Sequence, residues 1–251
     1  MIHFVGAGCG APDLITVRGQ RLLREADVII YAGSLVNPAL LENAKPGCQI
    51  YNSAHMTLEQ VIDTMKQAEA DHKTTVRLHT GDPSIYGAIR EQMDVLDELA
   101  IRWDVTPGVS SFCGAAAALG AEYTLPDVSQ TVIITRMEGR TPVPEKEKIR
   151  SLSAHHATMA VFLSAGMTEQ LSTQLIEGGY SPETPAAIVY KASWPDEKRI
   201  LCTVAEITQK AKEHGISKTA LILVGNFLGG CYGRSKLYDP AFSTEFREAE
   251  R

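Results

Sequence analysis

The sequence lacks the marks of several protein classes. Its five cysteines (Cys9, Cys48, Cys113, Cys202, Cys231) are odd in number and form no C-x-x-C pair. That excludes a disulfide framework and the usual zinc spacings, and it reads as free thiols in a reducing compartment. No apolar run approaches the roughly 18 residues of a membrane-spanning helix. No leader pattern precedes the first strand pattern, so a cytoplasmic protein without membrane attachment is expected. Positive charge is in deficit: 24 Lys and Arg face 30 Asp and Glu, for a net charge of −6. A general nucleic-acid surface is therefore not expected. The seven histidines form no metal cluster. His155 and His156 are adjacent, and neighbouring side chains on a helix diverge. No Ser–His–Asp constellation, internal repeat or low-complexity tract is present.

What is present suits a globular enzyme. The chain has 251 residues, 44% apolar and 22% charged, enough for one large α/β domain or two modest ones. Apolar runs at Ile2–Val5, Val28–Tyr31, Gln49–Asn52, Thr75–His79 and Trp103–Thr106 read as strands. Helical patterns separate them: Thr16–Ala26 behind an N-cap Thr16, Leu58–Asp71 behind a Thr57–Gln60 capping box, and Gly87–Leu99. A helix over Ser111–Leu119 follows. Strands alternating with helices predict a parallel sheet. The connection Ala121–Thr131 sets the expected boundary between a domain at 1–120 and one at 121–251. The second half reads as strand Val132–Arg136, helix Glu145–Ala154, strand Met159–Ser164, helix Thr168–Glu177, a hairpin of Ala186–Lys191 and Arg199–Thr203, helix Ala205–Glu213 and strand Ala220–Gly225. The hairpin predicts a mixed sheet. The polar and aromatic tail is expected to lie on the surface or on a partner subunit.

Three loops following strands carry the chemical signal. The first is "VGAGCGAPDLIT", with Gly6, Gly8 and Gly10. A dinucleotide fingerprint needs G-x-G-x-x-G and an acid about 20 residues on. Here the spacing is G-x-G-x-G, and "DVIIYAGSLV" ends without an acid. A Walker loop needs a lysine that is absent. The second loop is "LHTGDPSIYG", where Gly81 allows close approach and Asp82 places a carboxylate at a strand end. The third, "VTPGVSSFCGAAAALG", turns at Pro-Gly into Ser110, Ser111 and a helix of small residues. In an open parallel sheet, ligands bind beyond the carboxyl ends of the strands. Three unusual loops on that one edge predict a crevice.

These loops, with "YAGSLVN", "TRMEGRTPVPE", "VFLS" and "VYKASWPDEK", resemble the tetrapyrrole (corrin/porphyrin) methylase family from the first strand to about residue 238. "ITRMEGRTPVPE" and "ASWPDEK" favour the corrin branch over siblings acting on protein or ribosomal RNA. The resemblance implies two α/β domains, the first mainly parallel and the second mixed, usually as a homodimer. It implies S-adenosylmethionine as methyl donor, folded between the domains, and an anionic cobalt-corrinoid or other tetrapyrrole as substrate. Any cobalt would belong to the substrate. The donor site it implies comprises Cys9, Thr80, Gly81, Asp82, Ile85, Ser110, Ser111, Leu163, Ser164, Ala192 and Ala220. Gly8 and Gly10 would clear space near the flat macrocycle. Arg136 and Arg140 would meet its carboxylate arms, as guanidinium pairs bidentately with carboxylate. The sulfonium of the donor is already activated, so no general base is named. One departure stands out: the family usually shows G-x-G-P-G-D in the first loop, and here Cys9 replaces the proline and Ala11 the aspartate. A sibling activity on a metal-free intermediate or another ring position, and a non-catalytic corrinoid or nucleotide carrier, are the alternatives. The intact GDP loop argues against the carrier.

Overall fold

The structure, a computed structural model, describes residues 1–249. The chain forms two compact units. The first is Met1–Ala115 with Lys191–Glu197; the second is Ala116–Tyr190 with the chain from Lys198 onward.

The first unit is built on strands β1 (Ile2–Gly6), β2 (Val28–Tyr31), β3 (Gln49–Asn52), β4 (Thr75–His79) and β5 (Trp103–Thr106). They pair in the order β3-β2-β4-β1-β5, every pair parallel. Side chains alternate across a strand, so each strand feeds two cores. Val5, Ile29, Val76 and Leu78 pack with Leu22 and Leu23 of α1 (Val17–Glu25). Ile2, Phe4, Val28 and Ile30 pack with Val61, Ile62 and Met65 of α2 (Leu58–Ala70) and Leu96 of α3 (Arg90–Glu98). A parallel sheet covered on both faces explains the near-continuous apolar strands. The expected caps are in place: Thr16 accepts from the Gly19 N–H, and Thr57 and Gln60 form a reciprocal capping box.

β4 also buries three polar residues, Thr75, Arg77 and His79. The Arg77 guanidinium donates to Gln92 Oε1 and to the Ile30 carbonyl, each at 3.1 Å. His79 is 3% exposed. Burial first, and the neighbouring Arg77 second, push its pKa down to about 3, so the imidazole is neutral at physiological pH.

Helix α3 starts at Arg90, three residues later than its apolar pattern predicts. Tyr86 and Ala88 adopt left-handed backbone, with φ of 55° and 49°, which no right-handed helix can include.

The second unit holds β6 (Val132–Arg136), β7 (Thr158–Phe162), β8 (Pro185–Tyr190), β9 (Lys198–Thr203) and β10 (Ala220–Val224), in the order β6-β7-β10-β8-β9. Only β6 and β7 run parallel, so the sheet is mixed as expected. Helices α5 (Ile149–Ser153), α6 (Thr168–Glu177) and α7 (Ile207–Glu213) belong to this unit, while α4 (Ser111–Leu119) crosses from the first unit into the second. The helix expected over Glu145–Ala154 is broken. A 3-10 turn spans Glu145–Glu147, Lys148 is extended, and only α5 is α-helical. The break turns Ile149 into the core, where it is 1% exposed, while Lys148 pairs with Glu145 at 2.6 Å. His155 and His156 lie beyond the end of α5, and the His156 ring packs edge-on to Tyr180. In the tail, Tyr232, Leu237, Tyr238 and Phe246 are exposed.

Candidate functional site

The three loops leave the carboxyl ends of β1, β4 and β5, which are neighbours in the sheet. Backbone bonds join the first two: Ala7 N–H to the His79 carbonyl at 2.7 Å, Gly8 N–H to the Gly81 carbonyl at 3.2 Å, and Gly81 N–H to the Gly8 carbonyl at 2.9 Å. The third closes on them through bare backbone. A Cβ on Gly108 would lie 2.1 Å from the Gly81 carbonyl oxygen, and one on Gly6 would lie 2.5 Å from Gly108 Cα. At this junction Gly6 and Gly108 thus leave no room for a side chain against the Gly81 carbonyl, and Gly81 itself sits at φ +60°, a conformation that favours glycine.

The space beside the first-loop glycines is already filled. A Cβ on Gly8, whose φ is +81°, would meet the Leu14 carbonyl oxygen at 2.7 Å. One on Gly10 would meet Trp194 Cδ1 at 2.3 Å. The side-chain space at Gly8 and Gly10 is therefore taken by Leu14 and by Trp194, so any approach of a ligand to these two residues is to their backbone.

Asp82 locks the junction. One carboxylate oxygen accepts from the Gly108 N–H at 2.9 Å, and the other accepts from the Ser84 N–H at 2.8 Å and from the Ser84 hydroxyl. Burial opposes its charge, but the bonds from Ser84 and Gly108 outweigh burial and hold the carboxyl below its ordinary value. Asp82 therefore ties the second loop to the third, rather than standing as a free acceptor at the strand end.

Around the junction the structure gathers most of the expected first-unit residues. Ser110 Cα and Ser111 N lie 3.4 Å from the Cβ position of Gly81. The Ile85 N–H donates to the Asp82 carbonyl at 3.2 Å. Cys9, 6% exposed, and Ala192, 7% exposed, both flank Gly114. The Thr80 hydroxyl is buried and has no hydrogen-bond partner. Two contributors went unnoticed in the sequence. Asn37 Nδ2 donates to the Gly10 carbonyl at 2.9 Å, and Ser193 Oγ accepts from the Ala11 N–H at 3.0 Å.

In the second unit, Leu163 is 62% exposed with φ of 53°, directly after β7. The Ser164 hydroxyl is engaged: it accepts from the Met137 N–H at 2.9 Å and donates to the Phe162 carbonyl at 2.6 Å. Ala220 begins β10, opposite Tyr190. Arg136 is engaged by its own loop. Its guanidinium donates to the carbonyls of Met137 and Thr141 at 3.1 and 3.2 Å and to that of Pro142 at 2.9 Å. It clamps its own loop, while Arg140 is exposed on that loop.

Among the described residues, no group of three or more His, Cys, Asp or Glu side chains could hold a metal ion, and no helix is long and apolar enough to cross a membrane. Two α/β units, with three loops closed over the ends of a parallel sheet, define the class. Residues 1–208 match the family model for Tetrapyrrole (Corrin/Porphyrin) Methylases, and the chain belongs to that family.

The relatives narrow the class. The chain is 56% identical over 251 residues to a cobalt-precorrin-4 C(11)-methyltransferase of Methanocaldococcus jannaschii, covering 100% of this chain and 97% of that protein. Among solved structures it is similar to the cobalamin biosynthetic enzyme cobalt precorrin-4 methyltransferase, CbiF. The TM-score is 0.89, with 47% identity over 91% of this chain and 96% of that one. It is also similar to a uroporphyrin-III C-methyl transferase from Thermus thermophilus complexed with S-adenosyl homocysteine. There the TM-score is 0.75, with 27% identity over 91% and 93% of the two chains.

Proposed function

We propose that this protein is an S-adenosylmethionine-dependent C-methyltransferase acting on carbon 11 of cobalt-precorrin-4 in cobalamin biosynthesis. The observation that carries the reading is the 56% identity along the whole chain to a relative of that name. The loop junction supports it. A buried, unpartnered Thr80 hydroxyl beside Gly81, Ser110 and Ser111 suits a polar ligand brought close to backbone. We assign the donor to this cradle. The first loop then faces the macrocycle through its backbone. The cobalt enters with the substrate, and we assign the protein to the cytoplasm as a homodimer.

The donor supplies an activated methyl group. What remains for the chain is to hold the nucleophilic carbon in line and to exclude water. The fixed junction of Gly6, Gly81 and Gly108 serves the first task, because loops locked by backbone contact cannot drift by the ångström that misaligns a transfer. Calorimetry should show binding of S-adenosylmethionine and S-adenosylhomocysteine but not of NAD, since no acid follows β2 to grip a ribose. Tight NAD binding without a response to S-adenosylhomocysteine would overturn the assignment.

The second unit's arginines divide the substrate's demands. Arg140 is exposed, so Arg140→Lys should raise the apparent corrinoid KM by up to about fivefold, less at high salt, with the donor constant level. Arg136→Lys should act on the same constant through the loop, with weaker salt dependence, since lysine cannot span three carbonyls with one planar fork. Steady-state kinetics with each substrate varied in turn will separate the two; unchanged corrinoid constants in both variants would place these arginines outside the site.

A further inference from the structure

We propose that Ser193 is a positioning residue for the glycine-rich first loop, holding it at Cys9 and Ala11. The inference rests on the reading that this loop faces the corrinoid.

A proline at position 9 would fix its own φ, and an aspartate at position 11 would add a carboxylate to the loop. Cys9 and Ala11 do neither, yet the backbone around them is held on every side. Ser193 Oγ accepts from the Ala11 N–H at 3.0 Å and pairs with Cys9 Sγ at 3.3 Å. A hydroxyl both donates and accepts, so one atom serves both partners. Asn37 holds the Gly10 carbonyl at 2.9 Å. Trp194 and the Ala192 carbonyl close on the Gly10 Cα, leaving no room for a Cβ.

The supporting turn is itself braced. Ser193 sits at φ +65°, a left-handed conformation that costs a non-glycine residue energy. Its N–H donates to Glu197 Oε2 at 2.6 Å, and Lys191 reaches Asp196 at 2.6 Å across the same turn. Lys191 Nζ also lies 5.2 Å from the centre of the Trp194 ring. A strained residue persists where its surroundings over-determine it. Here the strain points the Ser193 hydroxyl at the loop. The segment Lys191–Glu197 lies in the turn of the β8–β9 hairpin, yet it belongs to the first unit, with the loop it supports.

The test compares Ser193→Ala, Glu197→Ala and Glu197→Gln with the full-length protein. Each is measured for corrinoid kinetics, S-adenosylhomocysteine affinity and melting temperature. Ser193→Ala leaves the Ala11 N–H unpaired, so kcat/KM for the corrinoid should fall roughly tenfold, with donor affinity and melting temperature unchanged. Glu197→Ala should reproduce this in weaker form. Glu197→Gln keeps an oxygen to receive the Ser193 N–H and should restore near-native kinetics. If all three variants match the parent for both ligands, Ser193 does not position the loop, and the methyltransferase reading is untouched. If Ser193→Ala weakens the donor and spares the corrinoid, the loop faces the donor instead, and the proposal falls with that reading. A loss of melting temperature that accounts for the whole effect, with no rescue in Glu197→Gln, would reduce Ser193 to a fold residue and overturn the proposal.

Discussion

Gly108→Ala should be among the most damaging single-methyl changes in the first unit. Its Cβ would lie 2.1 Å from the Gly81 carbonyl oxygen and 2.7 Å from Gly6 Cα, and both obstacles are backbone. No side chain can swing away, so the third loop must lift off the other two. Overpacking of this kind costs about 1–3 kcal/mol, or roughly 2–12 °C of melting temperature for a chain of this size. Donor affinity should fall in step, about tenfold for each 1.4 kcal/mol of distortion carried into the cradle. Gly230→Ala is the control: no atom lies within 4 Å of its Cβ position, and it should be silent. A Gly108→Ala protein with native melting temperature and native S-adenosylhomocysteine affinity would show that the junction does not shape the site.

Asp82→Ala should act at the same place by releasing rather than crowding. It removes the acceptor for the Gly108 N–H and both bonds from Ser84. Losing charge-assisted bonds of this type costs about 1–3 kcal/mol, which we expect to appear mainly as weaker donor binding and less as a lost fold. Asp82→Asn should rescue only in part. Its amide nitrogen can donate but not accept, so it must face either Gly108 or Ser84 unproductively. The sign of the pH effect follows from the lowered carboxyl pKa. The tie is complete at neutral pH and above the ordinary carboxylate range, and it is lost as pH falls through the lowered value. A well-folded Asp82→Ala with equal donor affinity, measured by calorimetry at neutral pH, would remove Asp82 from the donor site.

The strands were legible because buried parallel strands announce themselves as short apolar, often β-branched runs; β2, "VIIY", is 1% exposed or less over Val28, Ile29 and Ile30. Helix starts were legible where a cap carries them, as at Thr16 and Thr57. The starts of α3 and α5 were not. Left-handed Tyr86 and Ala88 and the extended Lys148 are imposed by tertiary contacts that residue type does not encode.

The site divides in the same way. The glycines and Asp82 were visible as unusual residues at strand ends, but their partners were not. Gly108 and Asp82 are 26 positions apart, Asn37 and Gly10 are 27 apart, and Ser193 and Ala11 are 182 apart. At Gly8 and Gly10 the sequence does not show that Leu14 and Trp194 come back against the Cβ positions. Arg136 was legible as a cation near a strand end, but the path of its loop, which brings three carbonyls onto one guanidinium, is invisible until the chain is folded.

The reaction itself can be observed. Incubating the protein anaerobically with methyl-labelled S-adenosylmethionine and cobalt-precorrin-4, and mapping the product by NMR, tests it most directly. One labelled methyl group is expected on carbon 11, with loss of that signal in Gly108→Ala. A labelled methyl at another ring position, or none from an S-adenosylhomocysteine-binding protein, would contradict it.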